Sequence, residues 1–116
     1  MPPLFIITDT DDFTAADLRE IIEGAVPNAE VQYVQCLEDH SLADHDIARL
    51  VCALIDIKAA ETADQQAFDR LRAGGTDVIW IGQSLPRDPV KMDTDRLLQT
   101  PFTNESVLTH LAAYRV

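Results

Sequence analysis

The sequence predicts an α/β fold built on a parallel sheet, and two observations lead to that prediction. Short apolar segments of strand length alternate along the 116 residues with segments whose apolar residues recur at helical spacing. The segments 4–8 and 50–57 are almost continuously apolar, as expected of strands that are covered on both faces. Strands that alternate with helices form a parallel sheet with right-handed crossovers and helices on both sides.

The predicted elements follow one another along the whole chain. We predict strands over residues 4–8, 31–36, 50–57, 78–81 and 96–99, and helices over residues 14–26, 42–48, 62–73 and 104–114. Thr14 is the expected cap of the first helix, and Gly74 and Gly75 are the expected end of the third. Two prolines and no sustained apolar stripe lie between residues 82 and 95, so we expect the fourth helix to be shortened or missing. Residues 1–116 are predicted to form a single domain.

Composition excludes several classes of function. Twenty acidic side chains against nine basic ones give a formal charge of −11, which would repel nucleic acid. Cys36 and Cys52 form no CxxC motif and each lies in an apolar stretch, which predicts a reduced, cytoplasmic protein. The first residues have no basic region and only a short apolar run, so we expect neither a signal peptide nor a membrane span there.

Two segments carry a family resemblance, together with the strand and helix order. The end of the third predicted strand, with the residue that follows it, reads LIDIK, and the C-terminal part of the chain reads TPFTNESVLTHL. With these the chain resembles response-regulator receiver domains of bacterial two-component signalling over essentially its whole length. The resemblance implies a flavodoxin-like (βα)5 doubly wound parallel sheet with strand order 2-1-3-4-5.

The resemblance also implies roles for four carboxylates. Asp56 takes the place of the phosphoacceptor, and Asp9, Asp11 and Asp12 in TDTDD are candidate ligands, with Asp56, for a Mg²⁺ ion. Two simpler interpretations stay open. Asp56 at a strand end would cap nearby amides, and acidic residues at a helix start stabilise its positive end without any metal.

Three positions depart from the family pattern. Thr100 stands in place of the lysine that pairs with the phosphoryl group, and Gly82 stands in place of the Thr or Ser that moves on activation. A threonine hydroxyl brings no positive charge, so the neutralisation that phosphoryl transfer relies on is weakened. Leu97 stands in place of the aromatic residue that, in the family, is coupled to that Thr or Ser. Lys58 and Ser84 are nearby substitutes, though an exposed loop position explains each of them more simply.

These observations favour an atypical receiver that acts as a protein-interaction module with an impaired phosphorylation switch. The alternative is a functional phosphoacceptor in which Asp56 accepts a phosphoryl group from a histidine kinase or a phosphotransfer protein. A third reading is a flavodoxin-like domain that binds a small ligand. The expected partners are a histidine kinase, a phosphotransfer protein or another regulator, or a second copy paired through the apolar stripe of the last helix. No enzymatic activity beyond phosphoryl acceptance is expected, and His40 and His45 are read as part of a solvated acidic surface.

Overall fold

The computed structural model describes residues 3–8, 12–34, 48–57, 65–84 and 95–114. Five strands and three α-helices lie within these ranges. In chain order they are β1 (Leu4–Thr8), α1 (Asp12–Ala25), β2 (Glu30–Tyr33), β3 (Leu50–Asp56), α2 (Gln65–Ala73), β4 (Asp77–Gly82), β5 (Arg96–Gln99) and α3 (Asn104–Leu111), followed by a 3-10 turn (Ala112–Tyr114).

The five strands form one sheet whose order confirms the prediction. The order is β2-β1-β3-β4-β5, and every neighbouring pair is parallel. Parallel strands place their carboxyl ends at one edge, and the register aligns them there: Thr8 lies beside Ile55, Asp56 beside Ile81, and Gly82 beside Gln99. Residues that are far apart in sequence therefore meet along this carboxyl edge.

The sheet divides the apolar residues into two cores, as expected of a sheet covered on both faces. The first core packs strand residues against α1 and α3; it contains Phe5, Ile7, Cys52, Leu54, Ile79, Ile81, Leu18, Ile22, Val107 and Leu111, among others. The second packs the alternate strand residues against α2; it contains Leu4, Ile6, Ala53, Ile55, Val78, Trp80, Phe68 and Leu71, among others. Because successive side chains of a strand point to opposite faces, the near-continuous apolar strands supply both cores.

Several predicted boundaries were wrong by a few residues. Helix α1 begins at Asp12, so Thr14 is not its cap, and residues 12 and 13 already belong to the helix. An acidic residue at a helix start interacts favourably with the helix dipole, which suits this earlier beginning. Strand β3 ends at Asp56, and the last helix is α-helical only as far as Leu111. Most of the predicted 42–48 helix and of the reduced fourth helix lie outside the described residues.

The predicted end of the helix over residues 62–73, which is α2 in the structure, is confirmed. Gly75 has a φ of 82° and donates its N–H to the carbonyl of Arg72, while Thr76 donates to the carbonyl of Leu71. These are the two hydrogen bonds of a Schellman motif, which glycine favours because a positive φ costs it little. The turn brings the chain directly into β4.

The described helices leave no candidate for a membrane span, because none of them is both long and apolar enough.

Candidate functional site

Asp56 is the last residue of β3, at the middle of the carboxyl edge of the sheet. Its side chain is half-buried. Strand alternation assigns it to the same face as Cys52 and Leu54, which α1 covers. Helix α1 begins at Asp12, just after the end of the neighbouring strand β1. The structure thus brings the predicted phosphoacceptor to the sheet edge where α1 starts.

Gly82 ends β4 beside this position and is buried. A β-carbon placed on Gly82 would lie 2.5 Å from Ile57 Cγ2 and 3.1 Å from Ile57 Cβ. Carbon atoms pack best at about 3.5–4.0 Å, so Ile57 already fills the space that a larger residue 82 needs. Ile57 therefore occupies the volume that a side chain at position 82 would fill.

Thr100 follows β5 and is tied to the end of β4. Its N–H donates to the carbonyl of Gly82 over 3.0 Å. Gln83 Nε2 donates to the Thr100 carbonyl over 3.0 Å and to its Oγ1 over 3.3 Å. The peptide bond between Thr100 and Pro101 is cis. The hydroxyl that stands in the lysine's place thus accepts a hydrogen bond from a neutral amide.

The predicted metal ligands are only partly described. Asp9 and Asp11 lie outside the described residues, and Asp12 is known only as the first residue of α1. Within the described ranges, no group of three or more His, Cys, Asp or Glu side chains converges on a point that could hold a metal ion. The carboxylates assigned to Mg²⁺ accordingly stay predictions.

The remaining sequence candidates divide in the same way. Leu97 is half-buried and packs against the second core, so it is fixed by packing. Ser84 is exposed. Lys58, His40 and His45 lie outside the described residues.

Comparison with known proteins adds evidence on the fold. No protein-family model and no curated protein matches the sequence. The structure, however, is similar over nearly its full length to solved structures of response regulators. The fold is that of a response-regulator receiver. A chemotaxis response regulator, CheY4 of Vibrio cholerae, superimposes with a TM-score of 0.71 at 14% identity, over 98% of this chain and 99% of that one.

Two other receiver-fold structures give the same result. A response regulator from Thermotoga maritima has a TM-score of 0.68 at 14% identity, over 98% of both chains. The BeF3-activated conformation of SdrG from Pseudomonas melonis Fr1 has a TM-score of 0.66 at 18% identity, over 97% of this chain and 96% of that one. The TM-scores establish the receiver fold. The sequence identities are too low to show the activity, which has to be inferred from the site.

A second cluster of polar residues lies at the opposite, amino end of the sheet. Tyr114 donates its hydroxyl to Asp77, Arg96 Nη2 lies 4.0 Å from Asp77 Oδ2, and the Phe5 and Tyr114 rings pack edge to face. Burial raises the pKa of the Cys52 thiol to about 12, so Cys52 is not a nucleophile at neutral pH. Burial, with Cys52 and Asp77 nearby, also raises the pKa of Tyr114. We interpret this cluster as structural support for the receiver fold, remote from Asp56.

Sequence reasoning missed Ile57. Its signal was present in the sequence, because a large apolar residue directly after Asp56 accompanies a glycine at position 82. The complementarity of the two volumes becomes visible only when the register sets β3 beside β4.

Proposed function

We propose that residues 1–116 form one atypical receiver domain of two-component signalling, which acts as a protein-interaction module and whose phosphorylation switch is impaired. The observation that carries the proposal is the pairing of Ile57 with Gly82 beside Asp56. Two steps support it: one concerns the charge of a phosphoryl group, and the other concerns movement.

The first support for the proposal is the charge that a phosphoryl group would bring to Asp56. A phosphoryl group on Asp56 would carry nearly two negative charges at pH 7 in place of the single charge of the carboxylate, in a chain whose formal charge is already −11. Hydrogen bonds from charged donors are roughly twice as strong as those between neutral groups. Thr100 offers only a neutral hydroxyl, which already accepts a hydrogen bond from Gln83. Phosphorylated Asp56 would be weakly stabilised from this side.

The second support is that the end of β4 carries no side chain that could move. A receiver switch of the kind the resemblance implies needs a hydroxyl side chain there that changes position. Gly82 has none, and Ile57 occupies the space in which one would lie. Because close-packed interiors resist added atoms, the site would keep one arrangement whether or not Asp56 carries a phosphoryl group.

A Mg²⁺ ion suits the chemistry of the predicted ligands. Asp56 and Asp12, with Asp9 and Asp11, would supply the hard carboxylate oxygens that Mg²⁺ prefers. The ion, when bound, would neutralise part of the charge on a transferring phosphoryl group. With no lysine at position 100, that contribution would be the main positive charge at the site.

The alternative function is phosphoryl acceptance by Asp56. The observation that favours it is the place of Asp56, half-buried at the carboxyl edge and therefore partly accessible to a donor. One of its carboxylate oxygens would form a bond to phosphorus while the bond between phosphorus and the donor breaks. The product would be an acyl phosphate on Asp56. A histidine kinase or a phosphotransfer protein would then be the donor.

Intact-mass spectrometry separates the two functions. Wild type, Asp56→Ala, Thr100→Lys and the matched control Asp69→Ala are incubated with acetyl phosphate and Mg²⁺, and circular dichroism checks that all four are folded. We expect no phosphoryl adduct on wild type, and an adduct on Thr100→Lys, in which the missing charge is restored. An adduct on wild type and Asp69→Ala but not on Asp56→Ala would overturn the impaired switch and establish the alternative.

The expected partners follow from the proposed function. A histidine kinase, a phosphotransfer protein or another regulator would bind the domain regardless of its phosphorylation. Pairing of two copies through the apolar stripe of the last helix has less support, because Val107 and Leu111 are buried in the domain's own core.

A further inference from the structure

A groove lies between α1 and α3, apart from the candidate site. Its volume is about 650 Å³. Four half-buried apolar side chains line it, namely Ile21 and Ala25 from α1, Phe102 from the turn before α3, and Leu108 from α3. Gly24 leaves it open, because a β-carbon there would meet no atom within 4 Å.

The described residues that line this groove carry charge of one sign. Asp17 and Glu20, both exposed, line it from α1, and none of the described lining residues is cationic. The arginine on the same helix, Arg19, pairs with Glu23 over 2.6 Å. An apolar base with a carboxylate rim matches a partner that carries apolar and cationic groups on adjoining surfaces.

We propose that this α1/α3 groove is a docking surface for a cationic amphipathic helix of a partner protein. The inference rests on the proposed function, because it names the kind of partner that the interaction module binds. A helix packs into a groove between two others through apolar residues spaced three and four apart. Lysine or arginine residues that flank such a stripe would lie against Asp17 and Glu20.

Other occupants fit less well. A second copy of this chain also carries a formal charge of −11, so it would bring carboxylates towards carboxylates. Nucleic acid and anionic lipid would be repelled for the same reason. The charge of the groove therefore favours a basic protein segment.

The test uses synthetic peptides of about 18 residues, roughly five helical turns. One peptide contains lysine and leucine arranged as an amphipathic helix, and the other has the same composition with the leucines dispersed. Binding to the wild-type chain is measured by isothermal titration calorimetry, and the contact surface is mapped by NMR chemical-shift changes. We expect the amphipathic peptide to bind at least about tenfold more tightly than the dispersed one, a difference of about 1.4 kcal/mol. The shifts should concentrate on α1 and α3.

Two matched charge reversals decide whether the binding is local. Glu20→Lys changes the groove, whereas Asp69→Lys makes the same change in net charge on α2, which covers the other face of the sheet. We expect Glu20→Lys to weaken binding about tenfold and Asp69→Lys less than about threefold, because charges separated by more than a Debye length are largely screened. Leu108→Gln should also weaken binding, with folding of each variant checked by thermal denaturation.

Equal losses in the two charge reversals, or shifts centred away from α1 and α3, would overturn the groove proposal. Equal binding of the two peptides would overturn it as well. None of these results depends on Asp56. An adduct at Asp56 together with peptide bound in the groove would refute the impaired switch alone, and peptide bound elsewhere with no adduct would refute the groove alone.

Discussion

The contact between Ile57 and position 82 yields the sharpest prediction, which concerns Gly82→Ala. The added β-carbon would lie about an ångström too close to Ile57 Cγ2. Overpacking of this kind costs about 1–3 kcal/mol. Replacing glycine restricts the unfolded chain and returns about 0.4–1 kcal/mol. We therefore expect a net loss of about 1–2 kcal/mol, or a melting temperature lower by roughly 4–8 °C for a chain of this length.

A double-mutant cycle shows whether Ile57 causes the loss. Ile57→Ala removes the nearest methyl group and should cost about 1–2 kcal/mol, less than for a fully buried isoleucine, since Ile57 is half-buried. The double variant should be more stable than the sum of the two losses predicts, by about 1 kcal/mol or more. Stability is measured by urea denaturation followed by far-ultraviolet circular dichroism.

The control is the same substitution where space is open. Gly24→Ala in α1 meets no atom within 4 Å and should stabilise the chain by up to about 1 kcal/mol, since alanine favours helix. The steric explanation is refuted if Gly82→Ala is as stable as wild type. It is equally refuted if the losses at positions 57 and 82 add within about 0.5 kcal/mol.

Four further predictions concern stability. Asp95→Ala should cost about 1–3 kcal/mol in urea denaturation, because the Asp95 side chain is 2% exposed and accepts the indole N–H of the buried Trp80 over 2.9 Å, so the variant removes the acceptor of a buried donor. A loss below about 0.5 kcal/mol would contradict this. Thr103→Ala should lower the free energy of unfolding by about 1 kcal/mol, because it removes the N-cap of α3. Thr103→Ser keeps the capping hydroxyl and should retain most of that stabilisation. Thr8→Val should be neutral or stabilising by the same measurement, since Thr8 Oγ1 is buried with no hydrogen-bond partner among the described residues; a clear loss would reveal a partner. Burial lowers the pKa of His110 below its ordinary 6.5, so the unfolded chain binds that proton more readily, and stability should fall as the pH drops through 6.5 towards the folded-state pKa; the decline should be smaller in His110→Gln.

The sequence was sufficient for the sheet, because its signals were local and strong. Apolar runs such as residues 4–8 and 50–57 predicted strands covered on both faces, and the Gly74 and Gly75 pair predicted a helix end that the structure places within a residue. Residues 96–99 were predicted as a strand with the bounds that the structure gives. Helix starts were less predictable, since several polar residues before α1 could each have capped it.

The candidate site was predictable in its members and less so in its packing. The place of Asp56, Gly82 and Thr100 at adjoining strand ends follows from parallel topology. The contact of Ile57 with Gly82 and the hydrogen bonds from Gln83 depend on side-chain positions that no spacing rule encodes. The α1/α3 groove belongs to the same class, because it arises between elements far apart in sequence.

The fluorescence of the single tryptophan reports on the core in which its side chain lies. Trp80 is fully buried, packs against Phe68 and donates its indole N–H to Asp95 over 2.9 Å. It lies two residues before Gly82, on the strand that runs to the candidate site. Its fluorescence is therefore a label-free signal from the centre of the sheet, and a change in emission on adding acetyl phosphate or peptide would report that the disturbance had travelled inward along β4.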